Sequence, residues 1–305
     1  MKEGNGIFIS VIVSDYSRRE YIMKTLESVV NQTLSQDYYE VILVKNFSDQ
    51  DIDKFTMENK IHSVLSKDAS LSGKIKEGLS IARGNVICFL DDDDMFYRNK
   101  LEYVYNKFKM DEQLGYLHNN FSAINASGKS INYQNSNPDF NMSSISVRID
   151  TIKNCNLTAV SKSIDTLLYL CALESRASVE LDNTVLTYYR VTENSVTHSF
   201  DSFDSFKTFS TESLEKILQS YIQMKSMFKS IYAIKILKHR ISFTRIRIHL
   251  FGGKRPRPGD YLTVLLTSST ESKSYEVKVL ISSILLKNYA IKKLYENENK
   301  KKEFS

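Results

Sequence analysis

The chain has 305 residues, of which 42% are hydrophobic and 25% charged, with only three Pro and ten Gly. This is globular composition with ample material for a core, and so few Pro and Gly argue against long disordered linkers. The net charge of +5 conceals a division: residues 1–215 carry 22 Lys and Arg against 30 Asp and Glu, whereas residues 216–305 carry 19 against 6. Two parts of opposite sign imply two jobs or two surfaces for different partners. No apolar stretch approaches the ~18 residues that a spanning helix needs. The first apolar run, Ile7 to Val13, is short and lacks a small-residue cleavage pattern, so a cytoplasmic protein is expected.

In chain order, the β-branched run Ile7 to Val13 predicts a buried strand, ended by the turn residues Ser14-Asp15-Tyr16-Ser17. Arg19 to Gln32 predicts a helix, with Met23, Leu26 and Val30 near one face. A strand over Tyr39 to Val44, a short helix over Asp51 to Lys60, a strand over Ile61 to Leu65 and a helix over Gly73 to Ala82 follow. A strand from Val86, a helix from Asn99 to Met110 and a strand from Leu114 to Leu117 complete the alternation. This rhythm implies a parallel sheet with helices on both faces. Residues 118–150, rich in Asn and Ser, predict hairpins or loops. A helix over Ile164 to Ser175 and a strand over Val185 to Val191 come next. Past residue 206 the spacing turns helical from Leu214 to Ile231, Gly252 to Gly259 breaks the pattern, and a second amphipathic helix covers Tyr275 to Tyr295. Cys88, Cys155 and Cys171 lack metal-ligand spacing and fit small buried hydrophobes in a reducing compartment.

The chemistry gathers at Ile87-Cys88-Phe89-Leu90-Asp91-Asp92-Asp93-Asp94, an apolar strand that runs into four carboxylates. Four adjacent like charges require solvent, protons or a cation. The stretch is open to two readings, a divalent-metal site for a phosphorylated ligand or an acidic surface turn. In a parallel sheet the ends Ser14-Asp15-Tyr16, Lys45-Asn46-Phe47 and Asp91 to Asp94 share one edge, where open α/β sheets hold ligands. No glycine motif for cradling phosphate is present, which leaves a cation as the counter-charge.

Taken together, Val11 to Arg18, Leu26 to Thr33, Val44 to Asp49, Gly84 to Asp94, and Tyr188-Tyr189-Arg190-Val191 with Asn194-Ser195 resemble the inverting glycosyltransferases of family 2, which have the GT-A fold. The resemblance implies an α/β catalytic domain over residues 1–205 with a Rossmann-like, mostly parallel sheet, and a basic helical region over 206–305. It implies hexosyl transfer from a nucleotide-diphosphate sugar to a glycan or lipid-linked hydroxyl, assisted by Mg²⁺ or Mn²⁺. Tyr16 would pack on the nucleobase beside the backbone of Ser14 and Asp15. Asn46 stands where the family usually has a base-contacting carboxylate. Asp91, Asp92 and Asp93 occupy the family's D-x-D positions, with Asp92 toward the ribose or sugar and Asp93 on the metal. Asp94 would support the loop. Lys74 would meet a phosphate or stand solvated on its helix. Asp165 fits the place of the catalytic base, with Asp150 and Asp182 in reserve; a helix N-terminus also favours an Asp structurally. His118, Asn119 and Asn120 would face the acceptor. Thr192 stands where relatives carry a His, and His198 lies beyond it.

Other readings compete. A sugar-nucleotide pyrophosphorylase would need a Gly-rich basic loop after the first strand, which Ser14 to Ser17 is not. A degenerate transferase domain serving as a basic membrane- or polyanion-binding module accounts for Lys45 and Asn46 at positions where acids are usual. The basic helices suit an anionic membrane surface, on the inner face of the cell membrane. They also suit an oligomer interface or a solvated appendage. No nucleic-acid-binding motif is present, so nucleic acid is an unexpected partner.

Overall fold

A computed structural model describes residues 6–15, 19–133, 135, 137, 139–191, 202–268 and 273–303, with side chains to residue 297. Its contacts divide the chain into two units. The first holds residues up to Ile124, Gly128–Thr158 and Ile164–Arg190; the second holds Asn125–Ser127, Ala159–Ser163 and the chain from Val191.

In the first unit, β1 (Ile9–Ser14), α1 (Arg19–Val30), β2 (Tyr39–Lys45), α2 (Gln50–Glu58), β3 (His62–Leu65), α3 (Leu71–Ile81) and β4 (Val86–Asp91) alternate as the sequence predicts. After β4 come β5 (Met95–Phe96), α4 (Lys100–Met110), β6 (Leu114–Ile124), β7 (Ile145–Arg148), α5 (Ile149–Ile152), α6 (Ile164–Ser175) and β8 (Ser178–Arg190). The eight strands form one sheet in the order β3-β2-β1-β4-β7-β6-β8-β5. Strands β1 to β4 are parallel, with Ser14 level with both Val44 and Asp91. The apolar residues of β1, β2 and β4 are buried on both faces, as central parallel strands require, whereas the edge strand β3 leaves Leu65 exposed. β7 enters antiparallel beside β4 and turns the sheet mixed.

Local chemistry explains the ends. Asp49 caps α2 by accepting from the N–H groups of Asp51 and Ile52, and Ser70 caps α3 by accepting from Gly73. Gly78 lets α3 close on β1, because a Cβ there would lie 2.8 Å from Ile12 Cγ2. In α1, Ile22, Leu26 and Val29 turn toward the core with Leu101, Val104 and Phe108 of α4.

Several expectations are corrected. Residues 118–150, expected as hairpins or loops, include the antiparallel pair β6, which runs on to Ile124, and β7, but also the start of the helical turn α5. β8 starts at Ser178, because its polar first half pairs with β6 across irregular register shifts that hide the alternation. The carboxylates at the end of β4 are not left to solvent: Asp92, Asp93 and Asp94 are buried. Cys155 and Cys171 are not free thiols but a disulfide, with Cα atoms 6.4 Å apart. The turn between α5 and α6 brings them together, which spacing alone does not disclose. Cys88 is free and buried.

The second unit holds α7 (Phe203–Met224), α8 (Ile231–Leu250), α9 (Pro258–Thr267), α10 (Lys273–Leu285) and α11 (Lys287–Glu303). The long helix predicted through Ile231 ends at Met224, and the one predicted from Tyr275 to Tyr295 is broken at Leu286. The predicted break at Gly252 is present, with Gly252 at φ +102° closing α8, a conformation that favours glycine. The sequence reading missed α9, which Pro258 opens at the first helical position, while the Asp260 carboxylate accepts from the N–H of Arg257. Phe206, Ile246, Phe251, Val264 and Leu280 share the core of this unit. Among the described residues, no helix is long and apolar enough to cross a membrane.

One side-chain cluster ties α4 to β8. The Asp182 carboxylate accepts from Tyr103 Oη (2.5 Å), the Thr184 N–H (2.8 Å) and Lys107 Nζ (2.9 Å). Burial works against the charge, but the bonds from Thr184, Tyr103 and Lys107 outweigh it and hold the carboxyl well below the usual carboxylate range. A depressed carboxylate stabilises the fold above its unfolded pKa, near ~3.9, and loses that contribution as pH falls through its folded value. Asp182→Asn is therefore expected to cost about 1–2 kcal/mol at neutral pH. Urea denaturation across a pH series should show the gap from wild type closing below about pH 4.

Candidate functional site

The parallel register brings the C-terminal ends of β1, β2 and β4 to one edge. Asp15, fully buried, follows β1 and donates its N–H to Val44 O of β2 at 3.1 Å. Lys74 is not solvated: it is 1% exposed, and its ammonium donates to the carbonyl of Asp15. Asn46 is exposed just beyond β2. Before it, Lys45 is buried and paired with Asp53 of α2. Lys45 and Arg19 both approach the Phe47 ring, at 5.3 and 4.6 Å.

The acidic loop is held by its backbone. Thr25 Oγ1 of α1 lies 2.9 Å from Asp92 O and 2.7 Å from Asp94 O. Arg190, the last residue of β8, donates Nε to Asp93 O and its own N–H to Asp94 Oδ1, both at 2.8 Å. The Arg190 guanidinium also lies 4.4 Å from the Tyr21 ring centre. Ser143, in a 3₁₀ turn over Met142–Ser144, accepts from the Asp91 N–H at 3.0 Å.

Beneath that turn Lys100 is fully buried. Its ammonium donates to Ser143 O (2.6 Å), Asn119 Oδ1 (2.8 Å) and Thr187 Oγ1 (3.2 Å). Burial pushes its pKa down to about 7. Burial, then the charges of Asp93 and Asp91, push the Asp94 carboxyl well above the usual carboxylate range. Phe121, Tyr133, Phe140 and Tyr189 pack ring against ring. Burial first, then Tyr133 and the aspartates Asp94, Asp93 and Asp91, push the Tyr189 hydroxyl above its ordinary value, which sets this aromatic cluster electrostatically beside the acidic loop.

Residues 10–157 match the family model described as glycosyl transferase family 2. Residues 10–157 belong to that family. An uncharacterized glycosyltransferase of Rickettsia bellii is 33% identical over 132 residues, covering 42% of this chain and 19% of that protein. The chain thus spans about a fifth of the length of the first relatives it matches. A longer match, 27% identical over 203 residues, is to WfaP of Escherichia coli, a UDP-Glc:α-D-GlcNAc-diphosphoundecaprenol β-1,3-glucosyltransferase; it covers 62% of this chain and 79% of that protein. The mannosyltransferase PcManGT of Pyrobaculum calidifontis, solved with GDP-Man and Mn²⁺, superposes with a TM-score of 0.59 at 12% identity, covering 93% of this chain and 88% of that one. The fold is that of the GT-A glycosyltransferases.

Within this family 2 fold, Ser14, Asp15, Lys74, Asp91, Asp92 and Asp93 come together at the sheet edge, with Asn46 on the same side. Tyr16 lies outside the described residues, as do Thr192, Asn194, Ser195 and His198. Asp165 is half-buried in the first turn of α6 and accepts from the Thr166 N–H at 2.7 Å; Thr166 Oγ1 in turn donates to buried Asp139 at 2.5 Å. The reserve carboxylates are engaged elsewhere, Asp150 with Lys153 at 3.0 Å and Asp182 with Lys107. Asn119 binds Lys100, and His118 Nε2 lies 2.6 Å from Phe140 O. Sequence reasoning missed Thr25, Lys100, Ser143 and the part played by Arg190. Arg190 was within reach, because it lies in the Tyr188-Tyr189-Arg190-Val191 motif. Thr25 carried a weak signal as a hydroxyl on the apolar side of α1.

Thr25→Val would strip the shared donor from two buried carbonyls while keeping the side chain's shape. The expected cost is about 1–3 kcal/mol, read by chemical denaturation. Thr25→Ser, which restores the hydroxyl, should recover most of it.

Proposed function

We propose that the chain is an inverting, metal-assisted glycosyltransferase that moves a sugar from a nucleotide-diphosphate donor to a hydroxyl acceptor, with residues 1–205 carrying the reaction. The observation that carries this reading is the buried acidic loop at the ligand-binding edge of a family 2 domain. The loop offers only hard carboxylate oxygens, which suit Mg²⁺ or Mn²⁺. Burial first, then repulsion from Asp93 and Asp91, raises Asp94, and a cation relieves such repulsion. Among the described residues, no three acidic, His or Cys side chains are arranged to hold a metal by themselves. Asp93, with Asp91 and Asp92 beside it, would hold the cation only together with the bound donor. When bound, the cation would supply charge stabilisation for the departing nucleotide diphosphate.

The chain's own residues do the rest. Asp91 and Asp92 hydrogen-bond the ribose and sugar. Ser14 and Asp15 line the base pocket with their backbone, together with Tyr16. Asn46 offers both an acceptor and a donor to the base where relatives use a carboxylate. Lys74 fixes the Asp15 carbonyl and adds positive charge near the diphosphate. Asp165 takes the proton from the acceptor hydroxyl as that oxygen forms a bond to the anomeric carbon. The bond to the diphosphate oxygen breaks on the opposite face, which inverts the centre. WfaP acts on a lipid diphosphate-linked sugar, and a glycan or lipid-linked acceptor is proposed here on that similarity.

The test is release of nucleotide diphosphate from a panel of UDP- and GDP-sugars, with and without Mn²⁺ or Mg²⁺. Wild type is expected to release it only with metal. Asp93→Ala should lose the activity, and Asp165→Asn should lower kcat about 10²–10⁴-fold while leaving donor affinity intact. Turnover that is indifferent to metal and to Asp93→Ala would refute the reading.

A further inference from the structure

We infer that the outward face of α9 and α10 is a docking surface for an anionic lipid bilayer. The inference goes beyond the transfer chemistry and rests on the second unit alone. On α9, Leu262, Leu265 and Leu266 point outward at helical spacing, with Leu266 73% exposed. On α10, Ile281, Ile284 and Leu285 do the same, with Leu285 74% exposed. These side chains are surplus to the core, which α9 and α10 already feed through buried Val264, Val279 and Leu280. Both helices pack on α8 and on each other. Large apolar side chains massed on adjacent helices mark an interaction surface.

Charge identifies the occupant. α9 and α10 hold one carboxylate each, and both are turned inward. Asp260 is 5% exposed and bound by Ser242 Oγ (2.9 Å) and Arg245 (3.1 Å). Glu276 is 6% exposed; His239 Nε2 lies 3.1 Å away, and the Ser268 hydroxyl binds it too. Among the described residues, the exposed side of these two helices therefore carries no acid. It carries cations instead: Lys278 within the α10 face, Lys273 at its start, and Arg257 just before α9, all exposed. Long stems let such cations reach the headgroups while the leucines enter the acyl boundary. A second copy would bring like charges against one another, since residues 216–305 carry a net +13. Nucleic acid would leave the leucines and isoleucines uncovered. An anionic bilayer satisfies both the apolar and the basic components.

The test is flotation of the full chain with vesicles of phosphatidylcholine alone or with about a third phosphatidylglycerol. The protein is expected to float with the anionic vesicles, less so at high salt, and not with neutral ones. The double variant Leu265→Glu/Leu285→Glu should bind about tenfold more weakly or worse, and Lys278→Glu should weaken binding to a smaller degree. Circular dichroism checks that the variants fold; should the double variant fail, the wild-type comparison between vesicles and the Lys278→Glu result still decide. Absence of binding to anionic vesicles, or binding unaltered by the variants, would overturn the inference. So would a wild-type dimer in analytical ultracentrifugation that the double variant converts to monomer, since a second copy would then cover the face. Nucleotide affinity, measured on the same samples, is expected to stay unchanged, which keeps this test separate from that of transfer.

Discussion

The structure depends on keeping a run of carboxylates buried at the end of a central parallel strand. Asp92, Asp93 and Asp94 are between 0 and 4% exposed, against strong mutual repulsion. Three separate elements hold the loop by its backbone: Thr25 from α1, Arg190 from β8 and Ser143 from the turn before β7. One oxygen of Asp94 also accepts from the N–H of Arg190.

Lys100 underlies the arrangement. A fully buried ammonium is costly unless its protons find acceptors, and Asn119, Ser143 and Thr187 supply them. Through Ser143 the lysine joins β6 and β8 to the turn that receives the Asp91 N–H. The antiparallel entry of β7 between β4 and β6 is what brings these strands within reach. The mixed half of the sheet thus supports a site built on the parallel half.

The sequence disclosed the parallel half well, because β1, β2 and β4 are unbroken apolar runs between clear turns. It also disclosed the loop residues Asp91 to Asp94, since consecutive carboxylates after such a run are rarely idle. It disclosed little of the second half of the sheet. β8 begins with Ser178 to Thr184, polar residues whose strand state depends on pairing with β6 across register shifts rather than on alternation. Thr25 and Ser143 look like ordinary polar residues until tertiary structure sets them against Asp92 and Asp91. Lys100 resembles a solvated helix lysine, and only the partners across the sheet show otherwise. Likewise, spacing showed the helices after residue 206, but not that Asp260 and Glu276 turn inward and leave α9 and α10 an acid-free outer face.

The proposed function turns on a cation that Asp93 would hold beside a nucleotide diphosphate. Titration calorimetry of UDP and GDP into the protein, with and without Mn²⁺, addresses it without requiring the acceptor. The account predicts that at least one nucleotide binds about tenfold or more tightly when Mn²⁺ is present, and that Asp93→Ala abolishes this gain while remaining folded. Equal affinity with and without the metal, or a gain that survives Asp93→Ala, would contradict it.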